Sequence, residues 1–422
     1  MNQTSIRGNK YLFPFIMVTS LFFLWALAHN LNPILIPHLK KACALTDFQS
    51  ALIDSSFFIA YFIMAIPAGI IMKRFGYKKG IITGLLLFSC GAFLFYPAAN
   101  ILSFQFFLFA LFIIACGLTF LETAANPYIT ILGKPESATQ RLNFAQSFNG
   151  LGAFIAPLVG GLFILTGNQL NADELKNYSE QQFESFRLAE AATVKIPYLV
   201  IGSLVLLVAI VFMAVKLPDI VEEDDGEIKW KNVFKHRHLL NGVVAQFFYV
   251  GAQVGVGSFF IRFLDQTAQI EEQQAAYFLS VALLLFMSGR FIGTWLMQLI
   301  NPHKLLSIYA LCNIILIAIA ISLKGMPSVY ALMSVEFFMS IMFPTIFSLS
   351  IKDLGTDTKP GSSLIIMAIV GGAVIPVIMG KISDQLNSIK LAYAIPLLCF
   401  LVVFIFGWRG YKADDSAATR SA

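Results

Sequence analysis

IITGLLLFSCGAFLFYPAA, residues 81–99, contains no charged side chain, and neither does IPYLVIGSLVLLVAIVFMAV, residues 196–215. A helix needs about 20 predominantly apolar residues to cross the hydrocarbon of a bilayer, and each run approaches that length. The composition around them agrees. Of 422 residues, 58% are hydrophobic and only 13% are charged, with a mean hydropathy of +0.76. Soluble domains carry about a quarter of their residues as charges. The chain reads as an all-α membrane protein that crosses the bilayer many times.

Apolar runs between charged or turn-rich breaks define twelve spans, at approximately 12–38, 49–72, 79–98, 103–132, 141–167, 196–216, 239–264, 272–298, 304–323, 327–351, 361–385 and 391–410. With the N-terminus inside, the inner segments hold 19 of the 29 Lys and Arg, the outer loops seven, and the spans three: Arg262, Arg290 and Lys381. The positive-inside rule therefore places both termini in the cytoplasm. The longest charged stretch, KLPDIVEEDDGEIKWKNVFKHRH, divides the chain into residues 1–216, a linker 217–238, and residues 239–422. The halves repeat one another. Gly152 to Pro157 has the spacing of Gly371 to Pro376 at an offset of 219, and Pro127 matches Pro344 at 217. Such a repeat predicts two pseudo-symmetric six-helix bundles with a binding site between them at mid-membrane.

Several function classes are excluded or disfavoured. The five cysteines show no C-x-x-C spacing and read as small packing residues, with no disulfide framework and no metal site. No nucleophile–base pair is apparent, so the chain does not read as an enzyme. The excess of basic residues serves topology, and no nucleic-acid partner is needed to explain it. The expected partners are a small molecule and membrane lipid, with a single copy as the working unit. The polar loop 168–195 has the composition of a short surface helix.

Polar groups inside spans are costly, so they mark cavities or partners. In LETAANPYITILG, Glu122 and Asn126 are i and i+4 on one helix face, and Pro127 releases backbone groups beside them. A lone carboxylate in hydrocarbon takes up a proton near neutral pH, which suits a proton-coupling site; the competing reading is a permanent ion pair with Arg262 or Arg290. In RLNFAQSFNG, Asn143, Gln146 and Asn149 step by three. In AQFFYVGAQVGVGS, Gln246, Tyr249 and Gln253 share a face. Amides donate and accept, so two such stripes can hold sugar hydroxyls, with Phe148 or Tyr249 covering the apolar face of a pyranose; alternatively they tie helices together. HNLNPILIPH, residues 29–38, puts two prolines and the amides of Asn30 and Asn32 in the outer half of the first span, where an unwound segment can line a cavity. Asp54 and Glu336 are further carboxylates within spans. Lys73, Arg74, Lys78 and Lys79 form a basic turn, for which Arg290 and Lys304 are the candidate counterpart in the second half.

IPAGIIMKRFGYKKGIITG, LETAANPYITILG, RLNFAQSFN, AQFFYVGAQ, MFPTIFSL and IKDLGTDTK resemble the fucose–proton symporter family of the major facilitator superfamily, over nearly the whole chain. The resemblance implies a bacterial inner-membrane transporter that imports L-fucose or a related hexose, including glucose or galactose, by proton symport with alternating access. No cofactor is implied, and the coupling ion is H+. Glu122 matches the family's membrane carboxylate, and Gln146 and Asn149 match its cavity amides. Two positions depart: Pro33 stands where the family has an aspartate after Asn-Leu-Asn, and Gly257 replaces an aromatic residue before Ser258-Phe259. Asp54 lies on the next helix at about the depth of Pro33, which makes it a second candidate for proton coupling. An N-acetylhexosamine symporter, an uncoupled uniporter and a sugar sensor are the alternatives.

Overall fold

The computed structural model describes residues 5–30, 39, 43, 47–163, 179–218 and 230–412. Among these, ten helices are long and apolar enough to cross a membrane. Helices Ser5–His29 and Ala138–Phe163 complete twelve spans. In order, the others are Asp47–Phe75, Tyr77–Asn100, Phe104–Ile131, Lys195–Ala214, Arg237–Ala268, Glu272–Leu296, Pro302–Ser322, Met326–Ser350, Gly355–Leu386 and Ile389–Gly410. A helix at Glu180–Ala192 occupies the loop between spans five and six, as its composition predicts. The helix of span one is described as far as His29, and its expected end at residue 38 lies outside the described residues. Asn30 folds its side-chain Nδ2 back onto the Ala26 carbonyl at 2.8 Å; residues 31–38, with Asn32 and Pro33, lie outside the described residues.

Lipid-facing surface follows from helical periodicity. In span six, Ile196, Val200, Leu204, Leu207 and Val211 form an exposed stripe, while Tyr198, Gly202, Val205, Ala209 and Phe212 on the opposite side are buried. A continuous apolar stripe of this length facing outward is stable against acyl chains and not against water.

Helix packing repeats between the halves. Span one packs on five, three on four and six, and two on four; in the second half, seven packs on eleven, nine on ten and twelve, and eight on ten. The two bundles then meet through spans two with eleven and five with eight, an exchange that the same twofold relation predicts. The junctions lie at or toward the end bearing the basic turns. Gly69 of span two is so close to span eleven that a Cβ there would sit 1.9 Å from Ser363 Oγ. Thr139 and Ser348 hydroxyls are 2.8 Å apart, and Asn143 Nδ2 donates to Thr345 Oγ1 at 3.2 Å, joining spans five and ten. Lys359 places its ammonium over the Tyr77 ring, 5.2 Å from the centroid.

Candidate functional site

Span ten carries the decisive local irregularity. Its α-helix stops at Met339 and resumes at Met342. Pro344 has no N–H to offer the Ser340 carbonyl, four residues earlier, so that acceptor must find another donor. Arg290 of span eight supplies it, through Nε at 3.0 Å. The neighbouring Met339 carbonyl accepts from the Tyr249 hydroxyl of span seven, also at 3.0 Å. A cation and a phenol thus hold the break from two sides. Span eight can come this close because residue 289 is glycine: a Cβ there would lie 2.5 Å from Phe337 O.

From the break, Arg290 crosses to the N-terminal bundle. Its Nη1 donates to the Gln146 carbonyl at 2.5 Å, with longer contacts of 3.4 Å to Gln146 Oε1 and Asn149 Oδ1. Gln146 in turn donates from Nε2 to Asn126 Oδ1 at 3.1 Å. One helical turn before Asn126, on the same face, Glu122 accepts a 2.6 Å hydrogen bond from the Tyr61 hydroxyl of span two. A hydrogen-bonded chain therefore runs from Asn126 through Gln146 and Arg290 to the span-ten break and Tyr249, and the Tyr61–Glu122 pair stands one helical turn from its Asn126 end.

The structure brings together Asn126, Gln146, Asn149 and Tyr249 in this chain, and places Glu122 and Asn143 beside it. Glu122 is not in an ion pair with Arg290 or Arg262. Arg290 bonds to neutral oxygens, and Arg262 lies over the Phe259 ring. No Lys or Arg nitrogen is within 4 Å of Glu122 among the described residues. Arg290 is also unlike Lys304, which is exposed at a helix start; it is a buried, structural cation. The Tyr249 ring is fully buried, and its hydroxyl is committed to the backbone. Asp54 lies in the helix of span two, and its side chain falls outside the described residues.

Buried amide atoms remain without hydrogen-bond partners among the described residues. They are both side-chain polar atoms of Gln246, Asn126 Nδ2 and Asn143 Oδ1 among the candidate site residues, and both side-chain polar atoms of Asn313 in span nine. An unpaired buried donor or acceptor costs about 1–3 kcal/mol, so such groups select for a ligand that both donates and accepts, as hydroxyls do. Gln253 is half-buried. At Gly257, one turn further along span seven, an added Cβ would meet nothing within 4 Å. A separate cavity of about 390 Å³ opens between spans one, five and eight, lined by the rings of Phe15, Phe144, Phe291 and Trp295 with Gln140 and Gln298. None of the candidate sugar-binding residues lines it.

Sequence reading did not reach Tyr61, Ser340 or the bridging role of Arg290. A tyrosine in an aromatic-rich span carries no signal. A lone cation in a span does, but its two shortest contacts are to backbone carbonyls, which no side-chain pattern reveals.

Twelve spans in two like-built bundles, with a polar chain crossing between them, define an alternating-access membrane carrier. The family model of the Major Facilitator Superfamily matches residues 15–359, and the chain belongs to that superfamily. It is 44% identical over 409 residues to the L-fucose-proton symporter of Escherichia coli K12, covering 95% of this chain and 93% of that one. A glucose/galactose transporter of Brucella abortus is 40% identical over 415 residues, 97% of each chain. The crystal structure of the E. coli fucose transporter in the outward conformation superposes with a TM-score of 0.89 at 44% identity, covering 95% of this chain and 99% of that one. A proton:xylose symporter matches at TM-score 0.73 and 13% identity, which is a likeness of fold alone.

Proposed function

We propose that this chain imports a monosaccharide by proton symport across the inner membrane of a bacterium, with both termini in the cytoplasm and L-fucose as the first candidate. The observation that carries the reading is the carboxyl of Glu122, bonded to Tyr61 and one helical turn from the hydrogen-bonded chain that crosses the bundle interface. A carboxyl beside one end of that chain can bind a proton, amides along it can bind hydroxyls, and Arg290 connects the chain to the contact between the bundles. With the basic end facing the cytoplasm, the conformer described here is closed inward.

In the proposed cycle, Glu122 receives a proton from the outer side, held in position by Tyr61. Sugar hydroxyls engage Asn126, Gln146 and Asn149 on one bundle and Gln246 and Gln253 on the other. Occupancy from both sides favours rocking of the bundles, and coupling follows only because the two ligands together bind the occluded state better than either alone. Asn32 and Asp54 complete the set, as sugar contact and second proton-coupling residue respectively. The relatives' names support glucose or galactose as the competing substrate.

Proteoliposomes test the reading directly. Glu122→Gln is expected to abolish sugar-driven alkalinisation while retaining part of the sugar counterflow; unchanged proton uptake removes Glu122 from coupling. Asp54→Asn run alongside separates the two carboxylates: wild-type transport by this variant leaves Glu122 acting alone. Counterflow with a panel of labelled hexoses, deoxyhexoses and N-acetylhexosamines identifies the sugar.

A further inference from the structure

Two buried groups of opposite potential charge sit near one another without pairing. Arg290 is 5% exposed and Glu336 is 4% exposed. Neither has an oppositely charged partner within 4 Å among the described residues. Arg290 bonds only neutral oxygens, and three of its four contacts, those to Gln146 and Asn149, are on the other bundle. Glu336 stands one turn before Ser340 on span ten, i and i+4, with Cβ atoms about 5–6 Å apart for that spacing. The Ser340 carbonyl is the atom that Arg290 Nε holds, and the close approach at Gly289 fixes span eight against this turn.

Among the described residues, few titratable groups surround Glu336. Tyr249 of span seven and Tyr393 at the start of span twelve are within electrostatic reach of it, and their hydroxyls are bonded to the Met339 and Val256 carbonyls. Tyr309 of span nine packs on Phe337 and Phe338 of the same helix. The cation nearest this turn is Arg290 of the adjoining span eight, which is bonded to the Ser340 carbonyl and not to Glu336. Among the described residues no cation or hydrogen-bond donor reaches the Glu336 carboxyl, and a charge buried to this degree without one is costly.

Opening of the basic end requires spans five and eight to separate, which strips Arg290 of its three acceptors on span five. A buried guanidinium left without partners is strongly destabilising. We propose that Glu336 is a second proton-binding group, on the C-terminal bundle, that exchanges places with span five as the partner of Arg290. While Arg290 bridges the bundles, Glu336 is protonated. When they part, the Glu336 O–H bond breaks, its proton passes to water in the opening inner path, and the carboxylate pairs with Arg290. Proton release is thereby tied to inward opening at a position distinct from Glu122. The proposal rests on the proton-coupled reading above.

The test reads conformation and not transport, so it fails independently of the sugar assignment. In a background with the five native cysteines replaced by alanine, Thr139→Cys and Ser348→Cys report closure of the basic end through cross-linking yield, since their hydroxyls are 2.8 Å apart. Without sugar, the yield is expected to fall as pH rises. Glu336→Gln is expected to lose that dependence and remain cross-linked, Glu336→Asp to restore it, and Glu122→Gln to keep it. A Glu336→Gln profile that follows the parent overturns the proposal. If Glu336→Gln does not fold, Arg290→Lys takes its place: with only a point charge to reach both bundles it must flatten the profile, and an unaltered profile is equally fatal. Loss of sugar-driven proton uptake with an intact cross-linking profile would instead count against the transport reading alone.

Discussion

Gly69→Ala is the sharpest steric probe of alternating access in this chain. The added Cβ would lie 1.9 Å from Ser363 Oγ, 3.0 Å from Ser363 Cβ and 3.5 Å from the Lys359 carbonyl. The hydroxyl cannot simply yield, because it donates to the Lys359 carbonyl at 3.2 Å. Rotating it away breaks that bond and still leaves the Cβ contact, so spans two and eleven must separate. Overpacking of this kind costs about 1–3 kcal/mol, and the contact is between bundles, so the cost falls on the inward-closed state alone. A coupling of that size corresponds to a roughly 5–150-fold shift in the equilibrium between states. Cross-linking between Thr139→Cys and Ser348→Cys should fall accordingly, and binding of sugar from the outer side should weaken by the same factor. Ser363→Gly removes both offending atoms and is expected to restore cross-linking in the double variant, a coupling that a double-mutant cycle isolates. Wild-type cross-linking in Gly69→Ala would refute the reasoning. So would a loss that Ser363→Gly fails to rescue, since the damage would then lie within a bundle.

Two other expectations concern the ends of the polar chain. Tyr61→Phe removes one hydrogen bond to a carboxyl, worth about 1.5–3 kcal/mol; proton-driven uptake should fall by about tenfold or more, with counterflow largely retained, and equal loss of both would show that Tyr61 serves only packing. Gly257→Tyr places a ring where a Cβ meets nothing within 4 Å, so folding should be unaffected while the order of preference among sugars in the counterflow panel changes; an unchanged order would mean that span seven does not contact sugar at this depth.

The break in span ten shows where sequence reasoning stops. Pro344 announces a freed carbonyl, and Arg290 announces a cation that needs oxygen, but the two lie on different spans. Nothing in one dimension says that the carbonyl of Ser340 and the guanidinium of Arg290 meet. The same holds for Glu122. Its burial in an apolar span is legible from LETAANPYITILG, and a permanent ion pair with a span arginine was the reasonable alternative. The structure gives that role to the Tyr61 hydroxyl, a group indistinguishable by pattern from the aromatic residues around it. The amide stripes divide in the same way: Gln146 and Asn126 do bond across helices, as interhelical glue would, while the Gln246 amide has no hydrogen-bond partner among the described residues.

What the sequence alone determined was what the solvent dictates. Hydrocarbon accepts helices whose backbone groups are internally paired and whose surface is apolar, so spans, breaks and basic turns are written directly in composition and spacing. The internal offsets of 217 and 219 then imply two like bundles. What only the tertiary structure decided was the pairing of polar groups between helices far apart in the chain. A hydrogen bond depends on distances of a few tenths of an ångström and on which bundle state the molecule occupies, and neither is encoded in local pattern. Arg290 therefore reads as one more basic residue in the sequence and as the connection between the bundles in the fold.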